Sequence, residues 1–130
     1  MNDKTEPLNS FWSRQNSRIA LLYTVFLSAM LFTPLPKMDA LSQGSHVDKV
    51  VHVFLFAMFA AIWARALGYH ARPYVETIGL SILFSVSTEL VQSILPWRTG
   101  DVMDLIFNFV GVAGGVAVVR MLNLARSPTD

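Results

Sequence analysis

Cysteine is absent from this 130-residue chain. That excludes a disulfide framework, a thiolate zinc centre and a thiol nucleophile. Charge is scarce too: Asp, Glu, Lys and Arg make up 15% of the residues, against about 25% in an average soluble domain. The formal net charge of +1 provides no basic field, so nucleic acid is not an expected partner. No H-E-x-x-H, G-x-S-x-G or phosphate-binding loop occurs, and these are the motifs of zinc proteases, serine hydrolases and nucleotide sites. Internal repeats and low-complexity tracts are missing as well. What is present is apolar mass, with 53% hydrophobic residues and a mean hydropathy of +0.46. Such a chain has enough to pack and is not disordered, and its length allows one domain.

The charge-free runs are residues 19–36, 50–64, 77–88 and 105–119, of 18, 15, 12 and 15 residues. Only the first reaches the length of about 18 that spans a bilayer unaided. Tolerating a charge near each end extends the others to 50–67, 74–95 and 102–124. A soluble amphipathic helix needs a polar face. Residues 105–119 offer only Asn108, and residues 50–63 only His52. Four helices of this size cannot bury one another on every side, so lipid must cover the rest.

The expected fold is therefore all-α, a polytopic membrane bundle of four transmembrane helices. The spans are about 19–35, 50–67, 74–95 and 102–124, with tails at 1–18 and 125–130. Pro34 and Pro36, the segment 68–73 and the segment 96–100 supply the breaks. Residues 39–47, with Gly44, read as a polar loop. A cleaved signal peptide is the competing reading of the first run. Its length, and the lack of a small-residue cleavage site after it, favour a retained helix.

Orientation follows from the distribution of Lys and Arg. One side holds Lys4, Arg14, Arg18, Arg65, Arg72, Arg120 and Arg126, and the other holds Lys37, Lys49 and Arg98. Seven against three predicts both termini in the cytoplasm. Phe11 and Trp12 are placed to sit at an interface, and Tyr69 and Tyr74 suit an aromatic belt.

The remaining polar residues collect toward the opposite face. Asp48, Lys49 and His52 open the second span. Glu89 and Gln92 lie in the last turns of the third, and Arg98, Asp101, Asp104 and Asn108 surround the start of the fourth. On the third helix Ser81, Ser85, Thr88, Glu89 and Gln92 fall within about 100° of arc. On the fourth, Asp104, Asn108, Gly111 and Gly115 fall within about 60°. Gly111 and Gly115 form a G-x-x-x-G pair, which admits a neighbouring backbone. Asp48 and His52 are four apart and stack. These faces are expected to turn inward on a shared pocket near the outer surface.

Several of these residues also have plain structural roles. Asp101 and Asp48 each suit a helix N-cap, and Asp104 suits the positive end of a helix. Lys49 suits an interfacial anchor, and Gln92 and Asn108 suit interhelical hydrogen bonds. Glu89 lies about 9 Å inside the end of its span at 1.5 Å per residue. A carboxylate at that depth needs a partner. Arg98, His52 and Lys49 are the available cations; otherwise it keeps its proton.

Taken in order, Asp48-Lys49-Val-Val-His52, Glu89-Leu-Val-Gln92, Pro96-Trp-Arg98, Asp101-Val-Met-Asp104 and Asn108-Phe-Val-Gly111 resemble the signature of VanZ-like membrane proteins. Pro34-Leu-Pro36 fits the same pattern, and the resemblance covers roughly residues 19–122. It implies a multi-pass protein of the cell (plasma) membrane with a role at the cell envelope. The family takes its name from an accessory protein linked to resistance to glycopeptide antibiotics, notably teicoplanin.

The candidate pocket is thus Asp48, Lys49, His52, Glu89, Gln92, Arg98, Asp101, Asp104 and Asn108, with Gly111 and Gly115 for packing. The favoured reading is a non-enzymatic envelope factor whose partners are the bilayer and a lipid, glycan or glycopeptide group. No cofactor and no metal are assigned on this reading. The alternative is a membrane enzyme on a lipid-linked substrate, with His52, Glu89 and Asp104 as an acid–base or metal site. A channel is a third reading, weakened because the inner half of the bundle offers few matching polar residues.

Overall fold

The computed structural model describes residues 6–34, 46–68, 70–98 and 101–126. Four α-helices follow in chain order: α1 (Glu6–Phe32), α2 (His46–Ala66), α3 (Pro73–Ile94) and α4 (Val102–Arg126). No strand occurs among the described residues. Lys4, Lys37, Gly44, Tyr69 and the side chains of Phe11, Trp12 and Arg126 lie outside what is described.

The helices start and stop for local reasons. Pro73 opens α3, where its missing N–H costs nothing. α1 stops at Phe32, two residues before Pro34. By hydropathy the first span begins at residue 19 and a polar tail precedes it, but the helix begins at Glu6. Pro7 in its first turn is compatible with that start. Hydropathy marks what faces lipid, not how far a helix continues beyond it.

α2, α3 and α4 are each long and apolar enough to cross a membrane, over His46–Ala66, Pro73–Ile94 and Val102–Ala125. α1 is not among these three. Its polar first half is joined to an apolar stretch, residues 19–32, that ends with the helix.

Burial is reversed relative to a water-soluble bundle. On α3 the buried side chains are Thr77, Ser81, Ser85, Thr88 and Gln92, while Leu83 and Ile94 are 66% and 78% exposed. Leu22, Val50, Val102 and Met121 also point outward. Water penalises so continuous an apolar exterior, whereas a bilayer favours it and leaves the polar groups to face one another.

Leu27, Leu31, Phe56, Phe59, Ala60, Val112 and Val116 form the apolar core. Phe59 stacks on Phe84 at 4.8 Å between centroids. Two polar links tie α2 to α1: Tyr23 Oη donates to the Leu55 carbonyl at 2.9 Å, and Trp63 Nε1 donates to Thr24 Oγ1 at 3.1 Å. The hydroxyls of Thr24, Thr77 and Ser81 are spent on carbonyls of their own helices, which is how such groups are satisfied away from water.

α2 and α4 make the most extensive contact and run parallel, with their N-termini at the same end. Their backbones touch where α4 carries Gly111 and Gly115. A Cβ at Gly111 would lie 2.3 Å from the Val53 carbonyl oxygen, and one at Gly115 would lie 2.1 Å from that of Ala57.

Candidate functional site

The N-termini of α2 and α4 meet the C-termini of α1 and α3 at one end of the bundle. A helix N-terminus presents unpaired N–H groups and a partial positive charge, so carboxylates are drawn there. Asp101 caps α4: its Oδ1 accepts the Met103 N–H at 2.8 Å. Glu89, reaching across from α3, accepts the Asp101 N–H on Oε1 at 2.6 Å. None of its expected cations, Arg98, His52 or Lys49, forms an ion pair with it among the described residues. The backbone donor at the start of α4 takes that role. Glu89 Oε2 is buried and has no hydrogen-bond partner.

Lys49 turns inward. Its Nζ is 3.6 Å from Asp101 Oδ2 and 4.0 Å from Asp104 Oδ1, and it lies over the Phe107 ring at 5.8 Å. It is therefore a member of the cluster rather than only an interfacial anchor. Asp48 is not an N-cap, because α2 begins two residues earlier and places it in the first turn.

His52 is the hub. Its Nδ1 lies 2.8 Å from Asn108 Oδ1, and Asn108 Nδ2 donates to Ser85 Oγ at 2.9 Å. One buried chain of groups therefore joins α2, α4 and α3. On the other side of the ring, Nε2 is 4.0 Å from Asp48 Oδ1 and 3.9 Å from Asp104 Oδ2. Asp48, His52 and Asp104 each offer a ligand atom, and these atoms all lie within 4.8 Å of one another. That trio has the geometry to hold a metal ion, whereas Glu89, named with His52 and Asp104 from sequence, is bound to the Asp101 N–H instead.

Gln92 reaches the other way. Its Nε2 donates to the Leu31 carbonyl at 3.1 Å, and Trp97 Nε1 donates to that of Phe32 at 3.2 Å. Both satisfy carbonyls at the C-terminus of α1, which the helix leaves unpaired. Arg98 sits half-buried in the α3–α4 connection and forms no ion pair among the described residues. The cluster carries four acids, Asp48, Glu89, Asp101 and Asp104, against Lys49 and Arg98. Ser85 is a site residue that motif reading passed over. The signal was its place on the polar stripe of α3, facing the same way as Gln92.

The bridge through Asn108 makes a stability prediction. Asn108→Leu removes both hydrogen bonds and strands buried groups on His52 and Ser85, at a cost of about 2 kcal/mol. Ser85→Ala removes one and should cost about half as much. Thermal unfolding of the purified protein in detergent measures both. Equal melting of Asn108→Leu and wild type would mean that the bridge does not hold the helices.

With that geometry in view, the comparison with known proteins is decisive on one point. A family model, VanZ/LLP1, matches residues 4–123. The chain belongs to the VanZ/LLP1 family. The match runs from before α1 into the last turns of α4, so it contains the whole cluster and also the polar beginning of α1. Comparison with curated proteins and with solved structures gave no match. VanZ/LLP1 membership and three helices fit to cross a bilayer make this a VanZ-like membrane protein.

Proposed function

We propose that this VanZ/LLP1 protein sits in the cell membrane with all four helices spanning it and both termini in the cytoplasm. The charged end of the bundle then lies at the outer face and holds the polar group of an envelope lipid, a glycan or an acyl-tailed glycopeptide. The seven-to-three distribution of Lys and Arg supports this orientation. The observation that carries the binding reading is Arg98. It is half-buried in the α3–α4 connection and forms no ion pair among the described residues, while Lys49 is engaged. A guanidinium in that position suits a phosphate or carboxylate, which it can grip with two parallel hydrogen bonds. The exposed apolar flanks of α3 and α4 would lie along the ligand's acyl chain. Interference with teicoplanin-type drugs follows from this chemistry, because such drugs carry an acyl tail.

Trp97, next to Arg98, provides a fluorescent reporter. Titration in nanodiscs with an acyl-tailed glycopeptide is expected to quench or shift its emission, and a glycopeptide lacking the tail should do so far less. Arg98→Ala should weaken binding by about tenfold or more, the scale of one charge-assisted contact. Arg98→Lys should recover only part. Undiminished binding by Arg98→Ala would sink this reading, as would no response to any acyl-tailed glycopeptide or anionic lipid.

A second reading rests on His52. An imidazole fixed on one nitrogen by Asn108 and facing carboxylates on the other is arranged as a general acid or base. On that reading the protein acts on a lipid-linked envelope substrate, and His52→Gln abolishes turnover without loss of ligand binding.

A further inference from the structure

We infer that Asp48, His52 and Asp104 form a binding site for one divalent transition-metal ion, of the zinc or manganese class. This goes beyond head-group binding by Arg98 and does not rest on it.

The hydrogen bonds around His52 select the tautomer it offers as a ligand. The Asn108 amide nitrogen is committed to Ser85 Oγ at 2.9 Å, so its carbonyl oxygen faces His52 Nδ1 at 2.8 Å. An oxygen acceptor there requires the proton on Nδ1. In the neutral tautomer with that proton, Nε2 carries the lone pair a metal ion would take, and it faces Asp48 Oδ1 and Asp104 Oδ2 at 4.0 and 3.9 Å. These separations are too long for hydrogen bonds. They match two ligands of one ion, which at about 2.1 Å each lie up to about 4.2 Å apart. An imidazole whose other nitrogen donates to a fixed oxygen is the usual arrangement of a metal-ligating histidine.

A second observation points the same way. Asp104 is 6% exposed; its Oδ1 is buried, accepts no hydrogen bond and lies on the Lys49 side, and its Oδ2 faces His52 Nε2. Its neighbours are Lys49 on the Oδ1 side, at 4.0 Å, and His52 on the Oδ2 side. Lys49 also reaches Asp101 at 3.6 Å. Charge agrees as well. Asp48, Asp101 and Asp104 outnumber Lys49, the cation within ion-pair distance of Asp101 and Asp104, so a divalent ion reduces a net negative charge. One imidazole and two carboxylates are borderline donors that suit zinc or manganese better than a soft ion such as copper(I).

The test uses full-length protein in nanodiscs, stripped with a chelator and titrated with Zn²⁺ alone and Mn²⁺ alone by calorimetry. One site per chain is expected, with binding raising the melting temperature. Asp104→Asn and His52→Gln should weaken affinity by at least about tenfold, as loss of a ligand does. If His52→Gln does not fold, Asp48→Asn replaces it, since that side chain is 13% exposed against 3% for His52. Melting of each variant in chelator separates loss of the site from loss of the fold. Substituted Co²⁺ adds a visible absorption band that depends on imidazole ligation. Folded wild type that binds neither ion overturns the proposal. So does binding that Asp104→Asn and Asp48→Asn leave unchanged.

Discussion

Gly115→Ala is expected to destabilise the bundle by on the order of 3 kcal/mol or more, while Gly114→Ala, one residue away, leaves stability equal or slightly raised. The contrast follows from what each new Cβ would meet. At Gly115 it would lie 2.1 Å from the Ala57 carbonyl oxygen and 2.9 Å from the carbonyl carbon. At Gly111 it would lie 2.3 Å from the Val53 carbonyl oxygen. These are backbone atoms of α2, which cannot rotate away as a flexible side chain does, so the two helices must separate. At Gly114 nothing lies within 4 Å. There the only effect is on helix propensity, where Ala exceeds Gly by up to about 1 kcal/mol in water. Separating α2 from α4 also draws His52 away from Asn108, so the damage extends from packing to the polar cluster. Thermal unfolding in one detergent at matched concentration measures it. The double variant Gly111→Ala/Gly115→Ala should fail to accumulate in the membrane. A Gly115→Ala protein that melts with wild type would mean that α2 and α4 do not cross at this point.

How far the sequence foretold this is best seen residue by residue. The G-x-x-x-G spacing puts Gly111 and Gly115 on one face, since period 3.6 requires it, but periodicity does not say which helix that face meets. The polar stripe on α3 was legible for the same reason, and its buried side chains are Ser81, Ser85, Thr88 and Gln92 with Thr77 added one turn earlier. The beginning of α1 was not legible. Residues 6–18 are polar, hydropathy assigns them to a tail, and only the backbone reveals that the helix continues through them. Glu89 shows a different limit. Charge matching nominates Arg98, His52 or Lys49 as its partner, but charge matching counts side chains alone. The donor it finds is the main-chain N–H of Asp101, which the hairpin between α3 and α4 brings within 2.6 Å. Lys49 was open between two readings, interfacial anchor and pocket member: at a helix start its stem can lead outward to lipid head groups or inward, and it lies inward, against Asp101 and Asp104 at the start of α4.

Removing charge from the cluster is expected to separate its structural and functional roles. In chelator, Glu89→Gln and Asp104→Asn should melt at or above wild type, by up to several degrees. Glu89→Gln keeps the oxygen that accepts the Asp101 N–H and removes the charge shared with an oxygen that has no hydrogen bond. Asp104→Asn relieves repulsion from Asp48 and Asp101 and gives up attraction to Lys49 and His52, at a buried group whose Oδ1 accepts no hydrogen bond. A carboxylate within a membrane-spanning helix costs on the order of 2.5 kcal/mol or more at full depth, and at the ends of α3 and α4 a fraction of that is recovered on neutralisation. With zinc present the order should reverse for Asp104→Asn, because wild type gains the binding free energy of the ion and the variant does not. Glu89→Gln should gain from zinc as wild type does, since Glu89 is held by the Asp101 N–H outside the ligand trio. Packing alone does not call for buried acids that outnumber their cations, since apolar side chains of similar volume serve as well or better. A lower melting temperature for both variants in chelator would make the carboxylates part of the scaffold and remove the case for a site at this end of the bundle.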